Sequence, residues 1–371
     1  MPGLSDYLTW RGDLSFAQDP FHPVDGLLLS TLAYHHFAQY ADPPVGVGVP
    51  FHQVAEQILS QPPERLRVFA SGKRDANLLR QTANSPRFRD QLLWASQEVL
   101  DVGKQIQFAA ITLQLDYGAA VVFRGTDNTL VGWKEDFNLG FLDTLPGQWL
   151  ARDYLEQTAA YLRGPLWVCG HSKGGNLAVF AASQVSLAVQ NRIVAVYNQD
   201  GPGFSRSVVE QPGYQAILPK LETFVPQFSV FGMLLEHEEP YTVVKSRGMG
   251  MMQHDPYAWE IQGNDFIRLT QVSNASRVID SAMRRWLADL TSGQREEFVD
   301  GLYELLAASQ ARTLEELANP KKIVAIWRQY TQKDKEKRRQ MGQILRRLAR
   351  AAAWAVREQG KQNNNKRQPE G

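Results

Sequence analysis

The sequence predicts an α/β fold: a three-layer sandwich with a mostly parallel central sheet, followed by a helical, basic C-terminal extension. Three observations predict it. Short apolar runs rich in β-forming residues alternate with helical patterns through the middle of the chain. A Gly-rich turn joins one of these runs directly to an Ala- and Leu-rich helical stretch. The charge is also divided: residues 320–371 carry 15 Lys+Arg against 4 Asp+Glu, and residues 1–319 carry 25 against 35. The net charge of +1 therefore conceals a mildly acidic body and a strongly basic tail.

The elements follow in order. The first 100 residues hold helical patterns at Val24–Tyr40 and Phe88–Leu100, separated by Pro-rich joints. Gln107–Leu115 and Ala119–Phe123 read as two strands of a hairpin around Asp116-Tyr117-Gly118. Asp153–Leu162 has helical spacing and is stopped by Gly164-Pro165, after which Leu166–Cys169 reads as a buried strand. Gly170 to Gly175 form the turn and Asn176–Val189 the helix that follows it. Three more strands are expected at Ile193–Asn198, Glu222–Gln227 and Tyr241–Ser246. Residues 274–319 read as amphipathic helix, and a long basic helix starts at Lys321, broken at most by Gly342. The expected division is an α/β body over 1–270, a helical basic extension over 271–360 and a disordered tail over 361–371.

Of the 371 residues, 43% are apolar and 21% charged, enough to build a folded core. The single cysteine, Cys169, excludes an intramolecular disulfide and a cysteine-based zinc site, and fits a reducing compartment. The N-terminal residues lack a signal-peptide pattern, and apolar stretches fall short of the roughly 18 residues of a spanning helix. A cytoplasmic protein is expected. No repeat of solenoid or propeller length is visible.

Chemistry concentrates at Gly170-His171-Ser172-Lys173-Gly174, which matches G-x-S-x-G between a strand and a helix. This is the nucleophile elbow of α/β-hydrolase-like folds, in which a sharp turn lifts the serine hydroxyl above the sheet edge. The plainer reading is a Gly-rich turn whose serine caps the helix. A serine needs a base, and in such folds the order along the chain is Ser, acid, His. Only His237 and His254 follow the elbow. His254 is favoured because the Gly-rich loop Arg247–Gly250 lets it swing back over the sheet, whereas His237 among Glu236, Glu238 and Glu239 reads as solvated.

For the acid, Asp200 in Asn198-Gln199-Asp200-Gly201 sits in a tight turn at a strand end; Glu236, Glu238 or a Ser-His dyad are the alternatives, and an Asx-turn is the structural reading of Asp200. Oxyanion donors are expected from the backbone N–H of Lys173 and from Thr126, at the end of the strand running into Arg124-Gly125-Thr126-Asp127. Asp127 and Asp136 are read as shaping that loop, with Arg124 as their salt-bridge partner. Phe228, Phe231, Met233, Leu234, Leu235, Met249, Met251 and Met252, in the two loops before His254, suggest an apolar, adaptable wall for an acyl group, or ordinary core. No cofactor is required. The expected function is a serine hydrolase acting on a small or lipid-like acyl ester.

These residues, together with Asp6-Tyr7-Leu8-Thr9-Trp10-Arg11-Gly12-Asp13, Asp200-Gly201-Pro202-Gly203 and Gln253-His254-Asp255, resemble the Mbeg-like bacterial domain-of-unknown-function family over about residues 5–262. That family is similar to class 3 (fungal-type) lipases. The resemblance implies an α/β-hydrolase fold and an F-R-G-[ST] strand whose last residue, here Thr126, contributes to the oxyanion hole. It also implies an acid in the Gln227-Phe228-Ser229-Val230 loop, where this chain has Ser229 in place of the carboxylate.

Within 341–357, Ile344, Leu345, Leu348, Ala352, Ala355 and Val356 recur at three- and four-residue spacing, with Arg346, Arg347, Arg350 and Arg357 between them. Such a helix suits an anionic membrane surface or an acidic partner, or is simply solvated on one side. No nucleic-acid fold motif accompanies it, so sequence-specific nucleic-acid binding is not expected. The alternative function is a catalytically silent scaffold that binds through this helix.

Overall fold

The computed structural model describes residues 1–39, 47–62, 72–101, 103–104, 106–126, 144–233, 235, 237–308, 320–332 and 334–365. Among these, nine strands form one sheet. In spatial order they are β1 (Val49–Pro50), β2 (Leu92–Asp101), β3 (Ile106–Leu115), β4 (Gly118–Phe123), β5 (Leu166–His171), β6 (Ile193–Gln199), β7 (Leu221–Pro226), β8 (Tyr241–Val244) and β11 (Arg268–Leu269). The first four pair antiparallel, β4 to β8 run parallel, and β11 returns antiparallel. β9 (Ile261–Gln262) and β10 (Asp265–Phe266) form a separate ribbon.

Both faces of the sheet are covered. In β5, Trp167 and Cys169 belong to one apolar cluster and Leu166 and Val168 to another; β4 divides Ala120 and Val122 from Ala119, Val121 and Phe123 in the same way. This period of two is what a strand buried on both sides needs. The first cluster is closed by α1 (Leu4–Arg11), α2 (Pro23–Leu32), α3 (Phe51–Leu59) and α4 (Gly72–Asn84), the second by α5 (Pro146–Tyr161) and α6 (Lys173–Gln184). The predicted three layers are present.

The N-terminal helices are tied to the body by a buried ion pair. Arg87 donates to Asp25 from Nε at 2.8 Å and from Nη2 at 2.5 Å, and both side chains are fully buried. Tyr7 on α1 adds its hydroxyl to the same carboxylate at 2.5 Å. Arg87 also donates to the carbonyls of Leu14, Asp19 and Pro20, so one side chain fixes the path between α1 and α2.

Four expectations change. Phe88–Leu100 is not a helix: from Leu92 it is β2, paired along its length with β3 from Leu92↔Gln114 to Asp101↔Ile106, with a bulge between Leu93 and Ala95. Pairing with the open edge of β3 overrides a spacing that suits either period. The helix expected to run to Tyr40 ends at Leu32, followed by a 3-10 turn at Phe37–Gln39, and Tyr40 lies outside the described residues. The long basic helix is two helices, α9 (Pro320–Gln332) and α10 (Lys335–Asn365), divided near Asp334 and not at Gly342. Asp334 accepts the N–H of Lys337 at 2.9 Å, the cap that starts α10. Residues 361–365 continue that helix, and 366–371 lie outside the described residues. Before these come α7 (Asn274–Ala288) and α8 (Ser292–Ala308); Trp286, Leu290 and Phe298 form a small core with Ile344 and Ala351 of α10.

Candidate active site

Strand β5 ends at His171 and α6 begins at Lys173, so Ser172 alone makes the turn, at φ 58° and ψ −132°. A turn this tight requires close backbone contact, and glycine permits it: a Cβ on Gly170 would lie 2.1 Å from the carbonyl oxygen of Gly174, and one on Gly174 would lie 2.1 Å from that of Phe123. The Ser172 N–H donates to Gln199 O on β6 at 2.9 Å, and the Asp200 N–H donates to Phe224 O on β7 at 2.7 Å. The two residues thus extend the sheet ladder by one step beyond adjacent strand ends. Asp200 also has a positive φ, 56°, and with Leu235 these are the non-glycine residues with positive φ among those described.

His254 closes the constellation from the 3-10 turn Gly250–His254. Its Nε2 lies 3.0 Å from Ser172 Oγ and its Nδ1 lies 2.6 Å from Asp200 Oδ2. A carboxylate only accepts, so Nδ1 carries the proton, and Nε2 of the neutral ring accepts from the Ser172 hydroxyl. Asp200 is fully buried, while the His254 side chain is 18% exposed. The neighbours of His254 hold the turn: Trp259 Nε1 and Ser246 Oγ both donate to the carbonyl of Gln253, the Gln253 amide bridges Phe228 N and Gly248 O, and Arg74 on α4 pairs with Asp255 at 2.7 Å. Phe231 packs on the imidazole at 4.7 Å between centroids.

Of the residues expected at the oxyanion position, Lys173 directly follows Ser172 and Thr126 lies just beyond β4, the strand next to β5. Lys173 is the first residue of α6, where N–H groups point away from the helix body. Its ammonium group turns into the sheet instead, donating to Gln107 O at 2.7 Å and Gln107 Oε1 at 3.1 Å. Thr126 follows β4 through Gly125, which passes so close to the elbow that a Cβ there would lie 2.6 Å from His171 O and 2.1 Å from the Tyr34 hydroxyl.

Other expectations fall differently. Arg124 pairs with Glu98 at 2.8 Å; Asp127 and Asp136, its expected partners, lie outside the described residues. Burial alone would raise Glu98, but the hydrogen bond from His36 and the Arg124 charge outweigh it and hold the carboxyl at about 2. His237 is not solvated: its side chain is 8% exposed and its Nδ1 lies 3.1 Å from Glu239. Glu238 accepts from Gln215, and Leu234 and Glu236 lie outside the described residues. Met233 belongs to a small core with Val225, Val243 and Val272, whereas Met249, Met251 and Met252 are exposed beside the His254 turn. A five-residue 3-10 turn buries little of itself, and Gln253 takes the buried place. Cys169 is buried in β5 and its thiol is pushed up to about 12 by burial, which removes it as a competing nucleophile.

Two supporting groups were not read from the sequence. Ser229, at the position where the family resemblance implies the acid, donates its hydroxyl to Asp200 Oδ1 at 2.5 Å. His171, inside the elbow, has Nε2 2.9 Å from His254 O. Among the described residues no cluster of His, Cys, Asp and Glu is arranged to hold a metal, and no helix is long and apolar enough to cross a membrane.

Among solved structures, a similar chain is that of a triacylglycerol lipase whose catalytic centre is formed by a serine protease triad. It is 14% identical, the match covers 60% of this chain and 80% of that one, and the TM-score is 0.37. No curated protein matches the chain. A family model described as Mbeg1-like matches residues 82–304, more than half of the sequence and the stretch from the end of α4 through the elbow, Asp200 and His254 into α8, so the chain belongs to the Mbeg1-like family.

Proposed function

We propose that the chain is a cytoplasmic serine hydrolase that cleaves acyl esters. The observation that carries this reading is the continuous path from Ser172 Oγ through the His254 ring to Asp200, with steps of 3.0 and 2.6 Å. Ser172 Oγ attacks the acyl carbon as His254 Nε2 takes its proton. Asp200 fixes the Nδ1–H tautomer and stabilises the imidazolium that forms. The N–H groups of Lys173 and Thr126 receive the developing oxyanion. His254 then returns the proton to the leaving alcohol, and a water activated in the same way releases the acid. Phe231 against the imidazole and the exposed methionines of the 249–252 segment favour an apolar acyl group.

A fluorophosphonate probe tests the reading directly. Wild-type protein is expected to acquire one adduct, located on Ser172 by peptide mass spectrometry, and Ser172→Ala none. A folded wild-type protein left unlabelled would overturn it.

A second reading, a silent scaffold that binds an anionic membrane surface, is favoured by α10. Its buried side carries Met341, Ile344, Ala351 and Ala355, yet Leu345 and Val356 are exposed next to Arg346, Arg350 and Arg357. An apolar stripe between arginines suits a headgroup layer. On this reading the protein floats with phosphatidylglycerol vesicles and not with phosphatidylcholine ones, Arg346→Glu with Arg350→Glu abolishes flotation, and Ser172→Ala changes nothing.

A further inference from the structure

The Asp200 carboxylate has a second set of partners. Oδ2 faces His254, while Oδ1 takes the Ser229 hydroxyl at 2.5 Å and the Gly232 N–H at 3.2 Å. Saturating one oxygen leaves the other for the imidazole and opposes rotation of the carboxylate, which would carry Oδ2 off the Nδ1–H direction. Ser229 is itself held. Its carbonyl accepts the Ser276 hydroxyl at 2.6 Å, and its N–H donates back to Ser276 Oγ at 3.3 Å. Ser276 lies in the first turn of α7, is fully buried, and gives its own N–H to the capping hydroxyl of Ser273 at 3.1 Å. The Ser273 N–H in turn donates to Gln227 O at 2.6 Å, directly after β7. The first turn of a helix outside the sheet is therefore stapled to the loop that holds the acid.

We infer that Ser229 and Ser276 are positioning residues for the Asp200 carboxylate, which makes the first turn of α7 a working part of the candidate active site. A buried hydroxyl is tolerated only when its hydrogen bonds are made, and alanine would fill most of the same space at either position. What alanine cannot do is hold Oδ1. The inference rests on the reading of Ser172, His254 and Asp200 as the catalytic groups.

The test compares full-length wild type, Ser229→Ala, Ser229→Thr and Ser276→Ala, with Ser183→Ala as control. Ser183 is a buried serine on α6 whose hydroxyl donates to Phe180 O and accepts from the Gln184 side-chain amide, both within that helix. Steady-state hydrolysis of a short-chain p-nitrophenyl ester and the melting temperature are read for each. Expected for Ser229→Ala is a kcat lower by about tenfold with KM within about twofold, the weight of one hydrogen bond to a charged group. Ser276→Ala should lose about threefold in kcat. Ser229→Thr, which keeps the hydroxyl, recovers most of the Ser229→Ala loss, and Ser183→Ala lowers the melting temperature without touching kcat. Wild type inert to both the ester and the fluorophosphonate probe would sink the hydrolase reading itself. An active wild type whose kcat survives Ser229→Ala, or a Ser183→Ala control that loses as much kcat as Ser229→Ala for the same fall in melting temperature, overturns the positioning role and leaves the hydrolase intact.

Discussion

Nε2 of His171 lies 2.9 Å from the carbonyl oxygen of His254, and the two imidazoles face each other with centroids 4.6 Å apart. The residue before the candidate nucleophile thus holds the backbone of the candidate base. Burial, helped by the neighbouring His254, keeps His171 well below the usual histidine range, so it is neutral and its Nε2–H donates to that carbonyl. His171→Phe fills the space without a donor and is expected to lower kcat by about tenfold. His171→Gln, whose amide can still donate, should lose less. Equal kcat in both variants and wild type would remove this role.

The buried histidines also set a pH dependence of stability. Burial lowers His35 to about 4, against Asp75, which pulls it up, and burial also holds His171 well below 6.5. In the unfolded chain both take up protons near pH 6.5, so below that pH the unfolded state binds more protons and stability falls as pH is lowered. At about 1.4 kcal/mol per pKa unit, His35 alone removes about 3 kcal/mol by pH 4. Urea midpoints at pH 7.5 and 5 should show the fall, and His35→Leu should flatten it. A wild-type midpoint independent of pH over this range would contradict the assignment.

Arg87 and Asp25 have no water to fall back on. Breaking such a buried pair from one side leaves a charge unmatched, at a cost of about 3–5 kcal/mol. Arg87→Met and Asp25→Asn should each lower the unfolding free energy from urea titration by that order, and their combination should cost less than the sum, because the double variant leaves neither charge behind. Additive losses would show that the two side chains do not act as a pair.

The elbow glycines admit no side chain. Gly174→Ala sets a Cβ against the Phe123 carbonyl, and the oxygen it meets is sheet backbone that cannot yield without moving β4. Loss of both soluble expression and probe labelling is expected for it, whereas Gly342→Ala, inside α10 with open space around it, should be at least as stable as wild type. A soluble, labelled Gly174→Ala protein would mean that the turn is looser than described.

The elbow could be read from the sequence because its signal is local: glycines at fixed spacing between a strand and a helix. Asp200 and His254 are legible too, from chain order and from the turns they sit in; the end of β6 brings Asp200, and the Gly250–His254 turn brings His254, to the Ser172 side chain. The supports were not readable. Ser229 meets Asp200 and His171 meets His254 only because adjacent strand ends and a returning turn converge, contacts that span 29 and 83 positions. β2 is not legible for a related reason, since the partner that makes it a strand is β3 and not anything in its own pattern.

The left-handed backbone at Ser172 and Asp200 sets folding against chemistry. Glycine would relax either position, by about 1 kcal/mol each. The same change would erase the hydroxyl or the carboxylate. If Ser172 and Asp200 act as proposed, a screen that rewards thermal tolerance alone should drift toward inert variants at these two sites, and hardening the protein means leaving both untouched and looking for gains elsewhere.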